Sequence, residues 1–284
     1  MQHNDYILTL SCPDRTGIVY RVSGLLFELG CNILDSQQYG DEETGRFFLR
    51  VHFDLPQAIT HESLRERFAT MADGYSMDWQ IHDARYKPRL LIMVSKQGHC
   101  LNDLLFRVQS GQLHAEIAAI VSNHNDYAAL AASYGIPFHH LPVTADTKAR
   151  QEQQVLDLVA SERIDLVVLA RYMQILSADL CRALEGRAIN IHHSFLPSFK
   201  GARPYHQAHA RGVKIIGATA HYVTSDLDEG PIIEQDIERV DHSMTAQQLT
   251  QVGSDVESLV LSRAVRGHVE HRILVNRNKT VVFR

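Results

Sequence analysis

Hydrophobic residues recur with two periods in the first part of the chain. The apolar run at residues 6–12 predicts a strand, and a second strand is expected at residues 33–39. Helical spacing predicts a helix ended by Gly30, with apolar positions at Ile18, Val22, Leu25, Leu26 and Leu29. Alternation predicts a half-buried third strand through Phe47, Leu49, Val51 and Phe53. A helix at about 58–71 and a strand at about 75–82 complete a ferredoxin-like βαββαβ order.

The pattern changes after residue 88. Continuous apolar runs at Leu90–Val94, Ile117–Val121 and Leu166–Leu169 are typical of strands that are covered on both faces. Helical stretches lie between them, near residues 101–108, 127–134 and 147–161. This order predicts a doubly wound, mostly parallel α/β sheet that binds ligands beyond the carboxyl ends of its strands. We therefore expect one domain at residues 1–84, a polar linker at 85–88 and a second domain at 89–284.

Composition and charge narrow the function classes. The 284 residues carry a formal charge of −5, so no broad basic surface is expected for nucleic acid. The four cysteines are far apart and include no Cys-x-x-Cys, which favours a reducing cytoplasm over a disulfide framework or a zinc knuckle. There is neither a signal-like N-terminus nor a run of about 18 apolar residues, so membrane spanning and secretion are disfavoured. We expect an acidic cytoplasmic enzyme.

The first strand-to-helix turn carries a candidate ligand site. Asp14 is placed to cap the helix, amides at the helix N-terminus suit a carboxylate, and Gly17 permits close approach; a plain tight turn is the alternative. The turn and the following segment resemble the ACT family over residues 5–84. This resemblance implies a homo-oligomer and an amino-acid effector such as glycine or methionine. The implied effector-binding residues are Asp14, Arg15, Gly17, Ile18 and Asn32.

Candidate catalytic residues follow two later strands. Asn190 and His192 lie two residues apart, so in a strand both side chains face the same side and can donate toward one oxygen. Such a pair suits a carbonyl that becomes tetrahedral during acyl transfer, although structural capping also produces it. A loop carboxylate can act as general base, and three after His221 compete for that role: Asp226, Asp228 and Glu229.

Together these motifs resemble the folate-dependent formyltransferases, over residues 89–270. The matching positions are Asn190, His192, Ser194, Leu196, Pro197, Gly201, His221 and Asp228. The resemblance implies that Asn190 and His192 polarise a formyl oxygen, that Asp228 manages protons, and that His221 supports them. Residues 171–176 resemble the folate-pocket segment of this family. The implied substrate-binding residues are Arg171, Met173, Ile175, Leu176, His221 and Thr224.

One segment departs from that family. Residues 95–102 stand where the purine-pathway formyltransferase has a glycine-rich phosphate loop, and only Gly98 remains there. Without a phosphorylated amine acceptor, water is left as the nucleophile. An ACT domain ahead of this fold resembles the layout of the formyltetrahydrofolate deformylases. This implies hydrolysis of the folate substrate 10-formyltetrahydrofolate to formate and tetrahydrofolate without a cofactor, supplying formate for purine synthesis and balancing the one-carbon pool.

Three alternatives stay open from the sequence. An amine formyltransferase would act on a ribonucleotide or on methionyl-tRNA, and a catalytically inactive amino-acid sensor would only bind folate. A metal hydrolase is suggested by seventeen histidines, including two adjacent pairs. Adjacent strand residues face opposite sides and His-Glu-x-x-His is missing, so we expect no metal ligands.

Overall fold

The computed structural model describes residues 4–196 and 204–284, which form two compact units. The first unit comprises the chain up to Tyr86 with residues 270–276 and 280–284, and the second comprises residues 87–269 with 277–279. The domain bounds expected from the sequence, 1–84 and 89–284, stay a prediction. In the structure, most of the last fifteen residues group with the first unit.

The first unit is a four-stranded antiparallel sheet with two helices. Its elements, in chain order, are β1 (Asp5–Pro13), α1 (Ile18–Glu28), β2 (Asn32–Asp41), β3 (Arg46–Asp54), α2 (His61–Asp73) and β4 (Asp78–Asp83). The strand order β2-β3-β1-β4 confirms the predicted ferredoxin-like arrangement. Both helices contribute to the core against the sheet, for example through Leu26 and Phe68.

The predicted half-burial of β3 is wrong on one face. Phe48 and Arg50 lie on the face expected to be exposed, yet both are buried. The reason is the C-terminal segment: Arg50 donates through Nε to the carbonyl of His271 at 3.2 Å and through Nη2 to that of Glu270 at 3.1 Å. The rings of His82 and His271 also stack, 3.5 Å between centroids. The end of the chain thus covers the second face of this sheet.

The second unit is a seven-stranded mixed sheet. Its elements are β5 (Arg89–Val94), α3 (His99–Gln109), β6 (Glu116–Ser122), α4 (Ala128–Ser133), β7 (Phe138–His140), α5 (Lys148–Ser161), β8 (Leu166–Leu169), α6 (Ala178–Ala183), β9 (Ala188–His192), α7 (Pro204–Arg211), β10 (Ile215–Tyr222), β11 (Ile232–Arg239) and α8 (Ala246–Val269). The order is β11-β10-β9-β8-β5-β6-β7. Strands β5 to β9 are parallel and β10 and β11 are antiparallel, which confirms the mostly parallel sheet.

Burial in this sheet follows the apolar runs. Every residue of Leu90–Val94 is fully buried, as expected for a central parallel strand. The long helix α8 contacts β9, β10, β11 and α3.

A two-stranded C-terminal hairpin is formed by β12 (Ile273–Asn276) and β13 (Lys279–Val282). Among the described residues, none of the helices combines the length and apolarity needed to cross a bilayer.

Candidate active site

A cavity of about 380 Å³ opens beyond the carboxyl ends of β8 and β9. We call it the first cavity. It brings together all nine residues predicted from the sequence to act on or bind a substrate: Arg171, Met173, Ile175, Leu176, Asn190, His192, His221, Thr224 and Asp228. Such an edge is where doubly wound sheets bind their ligands. Pro197 and Gly201, which also belong to the sequence resemblance, lie outside the described residues.

Strand pairing assembles the polar end of the first cavity. Strand β10 runs antiparallel to β9, and this register places His221 opposite Asn190. Asn190 Nδ2 lies 3.3 Å from His221 Nε2. His221 Nδ1 lies 2.8 Å from the backbone carbonyl of Tyr222, so Nδ1 donates and carries a proton. His221 is therefore held by its backbone neighbour, and one amide N–H of Asn190 remains for a ligand.

Asp228 completes the group from the loop after β10. Its Oδ1 lies 3.3 Å from His192 Nδ1 and 3.7 Å from His221 Nε2. Its backbone adopts a left-handed φ of 58°, which aims the side chain back at the two rings. Interactions with His192, and then with His221, hold the pKa of this carboxyl well below its ordinary value. Asp228 is therefore ionised and is by itself a weak proton acceptor, so proton transfer at this site requires His192 as well.

The three carboxylates of this loop are thereby distinguished. Asp226 and Glu229 are exposed, whereas Asp228 is partly buried against the two imidazoles. His192 is itself buried, and its Nε2 has no hydrogen-bond partner within residues 4–196 and 204–284. A buried ring nitrogen without a partner is available to a substrate oxygen or to water. The geometry can thus polarise a carbonyl and move a proton within one small group of side chains.

The folate-pocket segment divides into two parts. Met173 and Ile175 are exposed apolar side chains on the wall of the first cavity, and Leu176 is half-buried, so this wall suits a flat ring system. Arg171 differs because it is buried and engaged within the protein. Its Nε lies 2.8 Å from Gln97 Oε1 and 3.3 Å from Glu257 Oε2, and its Nη1 contacts His193 Nδ1.

Sequence reasoning missed the buried carboxylate Glu257. It lies on α8 with 1% of its surface exposed, and it contacts His99 Nε2 at 2.7 Å and accepts from the Tyr205 hydroxyl at 2.5 Å. Burial opposes its ionisation, yet the hydrogen bond from His99 and the charge of Arg171 hold the pKa of Glu257 below its ordinary value. The available signal was a glutamate on the apolar face of a helix, next to Val256 and one turn from Val260 and Leu261.

Tyr127 closes the loop that departs from the formyltransferase pattern. Its hydroxyl donates to the carbonyl of Lys96 at 2.7 Å. Any Cβ at position 98 would lie 2.4 Å from the Tyr127 ring, so Gly98 is required for this close packing. The lack of a side chain at Gly98 therefore leaves room for the Tyr127 ring. This packing supports the expectation that the loop does not wrap around a phosphate.

The five predicted effector residues divide in the first unit. Gly17 is the N-cap of α1 with a left-handed φ of 93°, and no side chain caps this helix, so the expected capping role of Asp14 is wrong. Ile18 belongs to the core, which leaves only its backbone for a ligand. Arg15 lies over the Tyr75 ring at 3.9 Å, and Asn32 is exposed at the start of β2. The uncapped amides of α1 remain the feature suited to a carboxylate.

Comparison with known proteins agrees with this architecture. A family model described as formyl transferase matches residues 88–265, and the ACT domain model matches residues 6–60. A formyltetrahydrofolate deformylase from Corynebacterium sp. (strain P-1) is 51% identical, with 98% of each chain covered. The crystal structure of a formyltetrahydrofolate deformylase from Burkholderia mallei has a TM-score of 0.95 at 54% identity, covering 99% of this chain and 100% of that one.

A more distant solved structure matches the second unit's fold. Glycinamide ribonucleotide transformylase 1 from Symbiobacterium toebii has a TM-score of 0.66 at 27% identity, and the match covers 70% of this chain and 95% of that one. The deformylases, in contrast, match along the whole length. With an ACT domain ahead of a formyl transferase domain, the chain belongs to the formyltetrahydrofolate deformylase family.

Proposed function

We propose that this protein hydrolyses 10-formyltetrahydrofolate to formate and tetrahydrofolate. The observation that carries the proposal is the contact of His192 with Asp228, beside Asn190, at the end of a cavity with an apolar wall. The relatives are named formyltetrahydrofolate deformylases, which supports the same substrate. The wall at Met173 and Ile175 accommodates the ring system, and the polar end receives the formyl group.

In the proposed reaction, a water oxygen attacks the formyl carbon and the bond from that carbon to the folate nitrogen breaks. Asn190 donates to the oxygen on which negative charge develops. His192 takes the proton of the attacking water and passes it to the leaving nitrogen, while ionised Asp228 stabilises the charged imidazole through Nδ1. Because the pKa of Asp228 is held low, this scheme gives the proton to His192 and leaves Asp228 as its charged partner.

The wider role rests on the same reaction. We propose that the released formate supplies purine synthesis, that tetrahydrofolate returns to the one-carbon pool, and that the enzyme works in the cytoplasm without a cofactor. The ACT domain would bind a free amino acid such as glycine or methionine in a homo-oligomer. The uncapped N-terminus of α1 supports a carboxylate ligand there.

Product analysis tests the proposed reaction. Purified protein is incubated with 10-formyltetrahydrofolate and no amine, and formate and tetrahydrofolate are measured together. We expect the two products in equal amounts. Folate consumption that requires glycinamide ribonucleotide, with a formylated amine in place of formate, would instead support an amine formyltransferase.

A further inference from the structure

A second cavity adjoins the first one, with a similar volume of about 380 Å³. Many of its lining residues have polar or charged side chains, among them Lys96, Gln97, His124, His206, Ser254 and Glu257. These residues come from the loops after β5 and β6, from α7 and from α8. The deformylation scheme uses none of these side chains. The cavity has room for a molecule of several heavy atoms. Whether such a molecule can reach a formyl group bound in the first cavity therefore decides which reaction takes place.

Four residues border both cavities: Arg171, Met173, Gln174 and His193. Of these, Arg171 and His193 are the buried ones, and they contact each other. The ring of His193 also stacks on that of His192, with 4.9 Å between centroids. Arg171 and His193 therefore form a partition between the two cavities, and this partition lies next to the imidazole of His192.

Arg171 is fixed in the partition from three sides. Gln97 and His193 accept hydrogen bonds from its guanidinium N–H groups, and Glu257 provides the opposite charge at 3.3 Å. Its backbone has a left-handed φ of 64°, a conformation that favours glycine. A long, charged side chain thus occupies a backbone position that glycine would adopt without strain, and what it contributes there is the guanidinium.

We propose that Arg171 is a specificity-determining residue. Its guanidinium closes the passage between the two cavities, so that a primary amine in the second cavity cannot reach the formyl carbon and water alone attacks it. This inference rests on the proposed deformylation. Arg171 also neutralises Glu257, which withdraws that carboxylate from any cationic or hydroxyl-bearing ligand in the second cavity.

The reaction that Arg171 prevents is a formyl transfer. An amine nitrogen would attack the formyl carbon, the bond from that carbon to the folate nitrogen would break, and one amine proton would move to the folate nitrogen. The products would be a formamide and tetrahydrofolate. No oxidation or reduction occurs, and the co-reactant is a small primary amine.

The test compares the full-length protein with Arg171→Gly, which removes the side chain and suits the backbone φ of 64°. Each protein receives 10-formyltetrahydrofolate and glycinamide, and formate and N-formylglycinamide are quantified by mass spectrometry against an enzyme-free blank. We expect the wild-type protein to release formate, with N-formylglycinamide no higher than in the enzyme-free blank. In the variant, the ratio of formylated amine to formate should be at least ten times the wild-type value, taken at that blank level.

Two further variants keep the result interpretable. Arg171→Gly combined with Glu257→Gln removes both buried charges, so it avoids leaving an unpaired carboxylate if the single variant does not fold. Arg163→Gly is the matched control, because Arg163 also has a left-handed φ, of 50°, and is exposed. It should keep the wild-type ratio. An unchanged ratio in the folded Arg171 variants would overturn the inference, whereas failure of the wild-type protein to release formate would overturn the deformylase proposal itself.

Discussion

At the scale of single residues, the low pKa of Asp228 determines that His192 takes the proton in the proposed reaction and that Asp228 stays charged. Asp228→Asn removes the charge that faces His192 Nδ1, so the protonated imidazole loses its partner. We expect kcat for formate release to fall by about 10² to 10⁴, with a much smaller change in KM. Steady-state kinetics with 10-formyltetrahydrofolate measure both parameters.

The control for this substitution is Asp241→Asn. Asp241 is an exposed loop carboxylate whose pKa is also lowered, in this case by hydrogen bonds from Ser243. Its substitution should leave kcat unchanged. If Asp226→Asn abolished activity while Asp228→Asn did not, the assignment of Asp228 as the charged partner of His192 would be wrong.

The catalytic and substrate-binding residues of the first cavity could be predicted because each of them belongs to a short local motif. The two-residue spacing of Asn190 and His192 fixes their common direction on a strand. The contacts of Arg171 with Gln97 and Glu257 join residues 74 and 86 positions apart, so no local pattern encodes them. Only the folded sheet and α8 bring these side chains together.

At the scale of elements, the turn between β10 and β11 holds Asp228 in place. A Cβ at Gly230 would lie 1.7 Å from the carbonyl oxygen of Tyr222, beside the pairing of the Tyr222 amide with the Pro231 carbonyl. We therefore expect Gly230→Ala to displace the loop and to lower kcat by about tenfold or more, since small misplacements of catalytic groups are costly.

Thermal unfolding and formate release, measured on the same sample, separate displacement from global unfolding. Gly24→Ala on α1 is the control, because no neighbouring atom lies within 4 Å of its added Cβ. Loss of activity in both variants, or in neither, would contradict the role given to this turn.

Element types were predictable where the hydrophobic period was strong. The apolar runs of β5, β6 and β8 and the helical spacing of α1 appear in the structure close to their expected bounds. The burial of β3 was not predictable from its alternation. Arg50 is a polar residue in a strand, and its partners are carbonyls more than 200 residues away in the chain.

At the scale of the whole molecule, the ACT domain gives the proposed sensing function a test. We expect glycine or methionine to change the rate of formate release by the intact chain, through a coupling of about 1–3 kcal/mol, or roughly 5- to 150-fold in affinity. Gly17→Ala should weaken this response, because alanine strains the left-handed N-cap of α1.

The control substitution lies at the other end of the same helix. Gly30→Ala introduces comparable backbone strain, at a φ of 72°, away from the α1 N-terminus. Its response to amino acids should match that of the wild-type protein. If none of the twenty amino acids changes the kinetics of the intact chain, the sensing proposal fails and the ACT domain serves assembly alone.

The C-terminal cover of the first sheet also has a consequence for biosynthesis. A ribosome releases the six elements of the ACT domain early, whereas Glu270 and His271 emerge only after residues 87–269 of the second unit. Until then Arg50 lacks the two carbonyls that accept its hydrogen bonds, so the first domain to be translated is among the last to be completed. A stop codon near residue 269 would therefore damage the ACT domain and not the seven-stranded sheet of the second unit.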